Sequence, residues 1–449
     1  MLSKYKPHYR SNLILAIPVV ISQFGHTLVH TADSIIVGHF AGTISLAAVS
    51  LVNSIFSVMM VIGIGISSGL TPLIAQENGR ENHRECGKLL SNSLFINILS
   101  GILLFIIIYF GLLLTIDHLD QVPEVVAQAK PYLGLLGISI VPLMVFMTFK
   151  QFAEGLGFTK QAMIISIAGN VLNVVLGIIF VKGLFGIKPM GVSGVGWSTL
   201  IDRCLMAITI SYYVLKSPHF KSYLKNFALK RINLIRSLKI MKIGGPVAMQ
   251  YAFEVSAFSG AAIIIGTIGA AEQAAHQVAI NLGSMTYMMA SGISAAATIK
   301  TGNSFGRNDF NELRLSAASN YHIVIVFMIF TATVFIGLNQ LLPMMYTKDV
   351  SVIVIASQLL IIAGIFQLFD GAQVVGLGIL RGMGDVNIPT LITFVAYWII
   401  GLPVAYFLGI NLSMGAEGVW YGLTLGLFVS AGLLFMRYWR TVKKLQPAL

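Results

Sequence analysis

Twelve long apolar stretches constrain this sequence more than any other feature. A membrane-spanning helix needs roughly 20 consecutive, mainly apolar residues. No stretch shows the alternation of a membrane strand, and helices satisfy their own backbone groups in lipid. With 56% hydrophobic and only 10% charged residues, the chain is predicted to be an all-α integral membrane protein of twelve transmembrane helices whose partner is the lipid bilayer. The stretches are 12–38, 44–74, 89–115, 131–152, 162–182, 192–215, 244–267, 273–299, 318–340, 352–379, 388–409 and 416–438.

The sequence also repeats itself at a shift of 227 or 228 positions, which aligns Pro18 with Pro246, Gly65 with Gly292, and Gly79-Arg80 with Gly306-Arg307. The repeat predicts two parallel six-helix repeats around a central cavity. We expect an amino-terminal six-helix lobe over 1–215, a basic cytoplasmic linker over 216–242 and a carboxy-terminal six-helix lobe over 243–449. Because two similar lobes can rock about a site between them, this arrangement favours a transporter over a membrane-bound enzyme.

The net charge of +12 is distributed as the positive-inside rule requires. With a cytoplasmic N-terminus, only four of the 29 Lys and Arg fall in outer loops, and one, Arg203, falls within a span. We therefore expect a multi-pass protein of the cell (inner) membrane with both termini cytoplasmic. The basic linker lies beside anionic lipid in this arrangement, so no nucleic acid partner is expected.

Two acidic residues fall near the predicted membrane midplane, where ionisable groups are costly and mark functional sites. Glu254 lies twelve residues beyond Lys242, and Asp370 lies eleven before Arg381. At about 1.5 Å per residue, both lie roughly 16 to 18 Å from the cytoplasmic end of their spans. Two carboxylates at this depth repel each other unless a cation or a proton lies between them, so the pair is a candidate site for a coupling ion. The alternative is a structural pair neutralised by hydrogen bonds from neighbouring helices.

Asp33 lies nearer the outer surface and shares a helical face with His26 and His30. The spacing permits metal ligation, but no Cys accompanies it, and we predict no metal site. The cluster fits either a protonatable cavity wall or ordinary packing. His26 occupies the repeat position of Glu254, which favours the cavity.

Adjacent Asp202 and Arg203 point about 100° apart on their helix. Arg203 is expected to make a structural pair with a carboxylate or with carbonyl oxygens.

Four amide side chains lie near the acidic spans, one helical turn apart within each pair: Asn170 and Asn173 in the fifth span, and Gln277 and Asn281 in the eighth. A lone buried Asn commonly joins helices. Their number here indicates a lined, substrate-binding cavity.

The chain resembles the multidrug and toxic compound extrusion (MATE) transporters over essentially its whole length, and within them the bacterial NorM-like branch. The resemblance rests on Thr71-Pro72-x-x-Ala75-Gln76-x-x-Gly79, on Ala275-His276-Gln277 and on Arg381-Gly382-x-Gly384-Asp385. It implies that the acidic pair Glu254 and Asp370 binds Na⁺ or H⁺, and that Asp33 is the amino-lobe aspartate of protonation or substrate coupling. One departure is Gly177, which stands where an Asn or Asp usually follows Asn173, so an amino-lobe cation site would lack a ligand unless Asn170 supplies it.

The resemblance implies secondary active multidrug efflux: an antiporter that exports small organic cations in exchange for Na⁺ or H⁺. No Walker A pattern is present and the loops are too short for an ATP-binding domain, so no ATPase subunit or other cofactor is expected. The alternative of the same architecture is a flippase for lipid-linked oligosaccharides or peptidoglycan precursors. Such a protein needs a cationic cavity, whereas Arg203 is the one base at depth against four acids.

Overall fold

The computed structural model describes residues 4–118, 122–230 and 232–445. Most of these residues are helical, and no strand occurs within these ranges. Twelve of the helices are long, which confirms the predicted all-α membrane fold. They are α1 Lys6–Phe40, α2 Thr43–Gly79, α3 His83–Leu112, α4 Pro123–Gly155, α5 Thr159–Lys182, α6 Val192–Lys216, α7 Leu234–Ile268, α8 Ala270–Gly306, α9 Phe310–Gly337, α10 Val350–Gly382, α11 Asn387–Asn411 and α12 Gly415–Leu445.

Eleven of these helices are long and apolar enough to cross a membrane, and α8 is the remaining one. Its 37 residues include many Gly, Ala, Ser and Thr residues and several polar or charged ones, which lower its mean hydropathy. Most helices extend beyond the predicted apolar stretches, because a helix continues into the headgroup region after its hydrophobic residues end. The ninth stretch is an exception: α9 ends at Gly337 instead of residue 340, and a one-turn helix, Leu341–Met344, follows.

The two halves of the chain repeat the same helices. Helices α1 and α7 are both 35 residues long, with Pro18 and Pro246 at the same position in each. Helices α4 and α10 are both 33 residues long. The turns repeat as well, because α3 and α9 each begin with a side-chain cap: Asn82 accepts from the Glu85 N–H, and Asp309 accepts from the Glu312 N–H. The internal repeat seen in the sequence is thus a repeat of structure.

Contacts divide the chain into two compact units that differ from the predicted lobes. The amino-terminal unit contains Ile21–Ala248, and the carboxy-terminal unit contains Met1–Val20 and Met249–Leu449. The chain passes from one unit to the other inside α1 and inside α7, two residues after a proline in each. Proline removes a backbone hydrogen bond from a helix, which permits the two segments of that helix to pack in different surroundings.

Each unit therefore holds a half-helix from the other repeat. In the amino-terminal unit the first part of α7 packs on α2 so closely that a Cβ at Gly65 would overlap the Ala248 backbone. In the carboxy-terminal unit the first part of α1 packs on α8 and α9. Asn12 donates to the Ser319 hydroxyl at 2.7 Å, and a Cβ at Gly292 would overlap Val20. These two glycine contacts occupy equivalent positions of the repeat.

The basic linker is folded against α3 in the amino-terminal unit. Arg236 forms a bidentate ion pair with Glu85 at 2.6 and 3.1 Å. The side-chain oxygen Oδ1 of the buried Asn92 accepts a hydrogen bond from the Asn233 backbone N–H at 2.7 Å. The Tyr223 hydroxyl donates to Asn78 at 2.9 Å, and burial raises the pKa of this phenol. Arg231, one of the eight basic residues of the tract, lies outside the described residues. The charge pattern alone did not predict this docking.

Candidate functional site

Glu254 on α7 and Asp370 on α10 lie buried inside the carboxy-terminal unit, with 7% and 3% of their surface exposed. They are close enough for their charges to interact. Neither carboxylate accepts a hydrogen bond from, or forms an ion pair with, any residue that the structure describes. The hydrogen bonds from neighbouring helices that would neutralise a purely structural pair are therefore not found in the described part of the chain.

Two phenols complete this acidic cluster, and sequence reasoning missed both. Tyr287 on α8 and Tyr397 on α11 interact electrostatically with both carboxylates. Tyr397 is fully buried and donates its hydroxyl to Gln373 Oε1 at 2.9 Å. Gln373 follows Asp370 by three residues, so the two share one side of α10. The cluster thus presents carboxylate, phenol and amide oxygens from four helices.

Arg381 lies beyond the same cluster, toward the C-terminal end of α10. Eleven residues separate it from Asp370, which is close to three full turns, so both side chains lie on one face of α10. Its guanidinium donates to the Tyr251 hydroxyl at 3.3 Å and to Gln250 Oε1 at 3.5 Å, and it lies 5.6 Å from the centre of the Tyr251 ring. Its buried Nε has no partner among the described residues.

The predicted cavity residues of α8 lie elsewhere in this unit. Gln277 donates to Asn281 at 3.0 Å, and this pair is largely exposed. Gln277 lies ten residues before Tyr287, which is about 15 Å along the helix. The neighbouring His276 is buried and accepts from Trp420 Nε1 at 3.1 Å. The contacts described for these side chains do not join them to the acidic pair.

In the amino-terminal unit, Asp33 is 2% exposed and its Oδ1 has no partner among the described residues. It interacts electrostatically with Arg203, Asp202 and Tyr132. The structure therefore brings Asp33 and the two charges of α6 into one cluster. The spacing of Asp33 with the histidines did not predict this neighbourhood, because α6 is distant in sequence.

The prediction that Arg203 pairs with a carboxylate or with carbonyl oxygens was wrong. No carboxylate of the described residues comes within ion-pair distance of Arg203; its guanidinium donates to the Ser139 hydroxyl at 2.7 Å and lies 5.3 Å from the centre of the Phe56 ring. A hydroxyl acceptor and an aromatic face can satisfy a guanidinium inside a protein, because Arg is weakly hydrated and stacks on rings.

Helices α1 and α5 contact each other near their polar residues. A Cβ on Gly25 would lie 2.6 Å from Asn170 Nδ2, so α5 contacts α1 one residue before His26. Asn170 Nδ2 and His26 Nε2 are both buried and lack a partner among the described residues. Asn173 donates to the Thr199 hydroxyl at 3.2 Å, while its own carbonyl oxygen is buried without a described partner.

His30 and Gly177 complete the predicted amino-terminal set. His30 interacts electrostatically with His26 and Arg203. A Cβ on Gly177 would lie 3.6 Å from both Ile36 and the Ser198 hydroxyl, so this position has room for a side chain. Within the described ranges, no group of three or more His, Cys, Asp or Glu side chains is arranged to hold a metal ion.

Sequence reasoning also missed a buried ion pair on α4. Lys150 and Glu154 are 3% and 5% exposed, with 3.9 Å between Lys150 Nζ and Glu154 Oε1. Lys150 Nζ also donates to the Ser22 hydroxyl at 3.4 Å. Lys150 lies near the end of the apolar stretch 131–152 and was counted among the cytoplasmic basic residues, but α4 continues to Gly155 and this side chain is buried inside the unit.

Comparisons with known proteins agree with this architecture. The MatE family model matches residues 18–179 and, a second time, residues 246–407, a spacing equal to that of the repeat. Multidrug resistance protein MdtK of Photorhabdus laumondii is 32% identical to the chain, over 99% of this chain and 98% of its own length. Multidrug resistance protein NorM of Photobacterium profundum is also 32% identical, over 96% and 95%.

Solved structures show the same fold at lower sequence identity. The eukaryotic MATE transporter AtDTX14 superposes with a TM-score of 0.88 at 18% identity, over 98% of this chain and 99% of its own. An outward-facing multidrug resistance MATE family transporter of the MOP superfamily superposes with a TM-score of 0.85 at 20% identity, over 98% and 96%.

Proposed function

We propose that this chain, which belongs to the MATE family of membrane transporters, exports small organic cations in exchange for Na⁺ or H⁺. Relatives that share its full length are multidrug resistance proteins. Since these relatives are bacterial, we place the chain in the inner membrane, with both termini cytoplasmic as the distribution of basic residues favours.

The observation that carries this proposal is the buried pair Glu254 and Asp370 without hydrogen-bond or ion-pair partners in the described chain. A charged side chain inside a membrane costs several kcal/mol, and two neighbouring carboxylates add mutual repulsion. Binding a cation or a proton removes both costs. Binding of the coupling ion at this pair is therefore strongly favoured. When the ion leaves, the two carboxylates again favour binding of a cation.

Both coupling ions remain compatible with the cluster. Hard cations take oxygen ligands, and the carboxylates, Tyr287 and Tyr397 supply oxygens from four helices. A proton requires only one of the two carboxylates. Either ion links transport to an existing gradient, so we propose that the chain works without an ATPase subunit.

Asp33 is our candidate for protonation or substrate release in the amino-terminal unit. Its buried Oδ1 and the unpartnered atoms of His26, Asn170 and Asn173 are buried polar atoms on α1 and α5. Acidic groups favour cationic substrates on electrostatic grounds. Asp33→Asn is expected to slow export while leaving the ion-dependent thermal stabilisation of the purified protein unchanged. Loss of that stabilisation would place the ion at Asp33 instead.

Proteoliposome transport of a fluorescent organic cation under separately imposed Na⁺ and pH gradients tests the proposal. We expect one of the two gradients to drive movement against the dye gradient, which also identifies the ion. Liposomes without protein, with the same gradients, are the control. Movement that neither gradient drives, together with preferential binding of a lipid pyrophosphate, would favour the flippase instead.

A further inference from the structure

Each unit brings one basic side chain from its fourth helix to its first helix. In the carboxy-terminal unit Arg381 contacts Gln250 and Tyr251 on α7. These residues lie four and three positions before Glu254, so the guanidinium lies about one helical turn, roughly 5 Å, from the level of that carboxylate. The two charges interact, although no ion pair joins Arg381 to any described carboxylate.

The amino-terminal unit repeats this arrangement with other residues. Lys150 on α4 contacts Ser22 on α1, and Ser22 lies four positions before His26. A shift of 228 positions superposes Ser22 on Gln250 and His26 on Glu254. The Lys150 charge acts on His26 as the Arg381 charge acts on Glu254. In both units a basic group thus lies one turn from the titratable residue at the same repeat position.

The two basic residues are not themselves repeat partners. The repeat position of Arg381 is Glu154, and that of Lys150 is Leu377. A relic of duplication would place the same residue type at the same position. Two different sequence positions instead bring a cation to the same location, one helical turn from His26 or Glu254. This indicates that a positive charge at that location has a function.

We propose that Arg381 is a tethered cation that lowers the affinity of the Glu254 and Asp370 pair for the coupling ion and so permits its release. The inference rests on the proposed function of that pair. Arg381 acts through Glu254 and is thus a positioning residue.

The test is the concentration of coupling ion that half-saturates transport in proteoliposomes. At an effective dielectric of about 20, removing a unit charge that lies roughly 7 to 10 Å away should tighten cation binding about fifteen- to fifty-fold. Arg381→Gln should therefore lower the half-saturating concentration by about that factor and also lower the maximal rate, because release slows. Arg381→Lys keeps the charge but lacks the planar group that contacts both Tyr251 and Gln250, so its half-saturating concentration should lie closer to the native value than that of Arg381→Gln.

The matched control is Arg437→Gln, which removes a charge from the same unit. Arg437 is paired with Asp385 at 2.7 Å, so no change in half-saturation is expected. The double variant Arg381→Gln with Gln250→Lys returns a cation to the same contact and should restore near-native half-saturation. If Arg381→Gln does not accumulate, Gln250→Lys alone adds a second cation and should raise the half-saturating concentration; no rise would overturn the proposal.

The outcomes separate the two proposals. If Glu254→Gln and Asp370→Asn abolish ion dependence but Arg381→Gln leaves half-saturation unchanged, Arg381 has a structural role only and this inference fails. If the acidic variants transport normally, the proposed function itself fails.

Discussion

Replacing Gly292 by Ala tests the packing of α1 on α8. A Cβ at this position would lie 2.8 Å from the Val20 backbone nitrogen and 3.0 Å from its Cα. Carbon atoms that are not bonded pack at about 3.5 to 4.0 Å, so the two helices have to separate. Because the obstacle is backbone, no side-chain rotation relieves it.

The size of the effect follows from two opposing terms. Overpacking costs about 1–3 kcal/mol, whereas Ala in a helix interior is favoured over Gly by about 0.5–1 kcal/mol. Gly283 on the same helix supplies the control, because a Cβ there would meet nothing within 4 Å. We therefore expect Gly283→Ala to be neutral or stabilising and Gly292→Ala to be destabilising. The propensity gain is common to both variants, so they should differ by the overpacking cost of about 1–3 kcal/mol.

Thermal unfolding of the purified proteins in detergent, followed by intrinsic fluorescence, gives the Tm of each variant for comparison with the native protein. Gly292→Ala should unfold at a lower temperature than the native protein, and Gly283→Ala at the same or a higher temperature. Equal Tm values for the two variants would show that α1 does not approach α8 this closely.

Three further predictions concern hydrogen bonds and are checked by the same thermal assay. Asn92→Ala should cost about 1–3 kcal/mol because it leaves the buried Ser237 hydroxyl and the part-buried Asn233 N–H without their acceptor. Arg236→Gln, which removes a part-exposed ion pair, should cost at most about 1 kcal/mol; the reverse order would contradict the docking described. Tyr397→Phe leaves the buried Gln373 oxygen without its donor and should cost about 1–3 kcal/mol; an unchanged Tm would show that the bond contributes nothing. Asp309→Ala removes an N-cap and should cost about 1 kcal/mol, and a neutral result would mean that water satisfies this helix end.

Hydrophobicity predicted the helices but not their ends. The apolar stretch at 131–152 covers only part of α4, which begins at Pro123 and ends at Gly155. Hydrophobic residues report where lipid lies, whereas the helix continues until its backbone groups find caps or water. Lys150 was assigned to the cytoplasmic side because it lies near the end of the apolar stretch, although the helix continues beyond it.

Sequence spacing found the titratable residues along single helices but not the contacts between helices. Glu254 and Asp370 stood out because charges are rare in apolar stretches. Tyr397 did not, since tyrosine is common in membrane helices and its partner Gln373 lies on another helix. The Ser139 partner of Arg203 lies 64 residues away and gives no local signal. Such contacts depend on how helices pack, which a single sequence does not specify.

The most direct test of ion coupling compares Glu254→Gln and Asp370→Asn with Glu272→Gln in proteoliposomes under the gradient that drives the native protein. Glu272 lies in the first turn of α8, outside the acidic cluster. We expect the first two variants to insert normally but to lose gradient-driven export of the fluorescent cation, and Glu272→Gln to export at the native rate. Undiminished export by both Glu254→Gln and Asp370→Asn would contradict the assignment of the coupling ion to this pair.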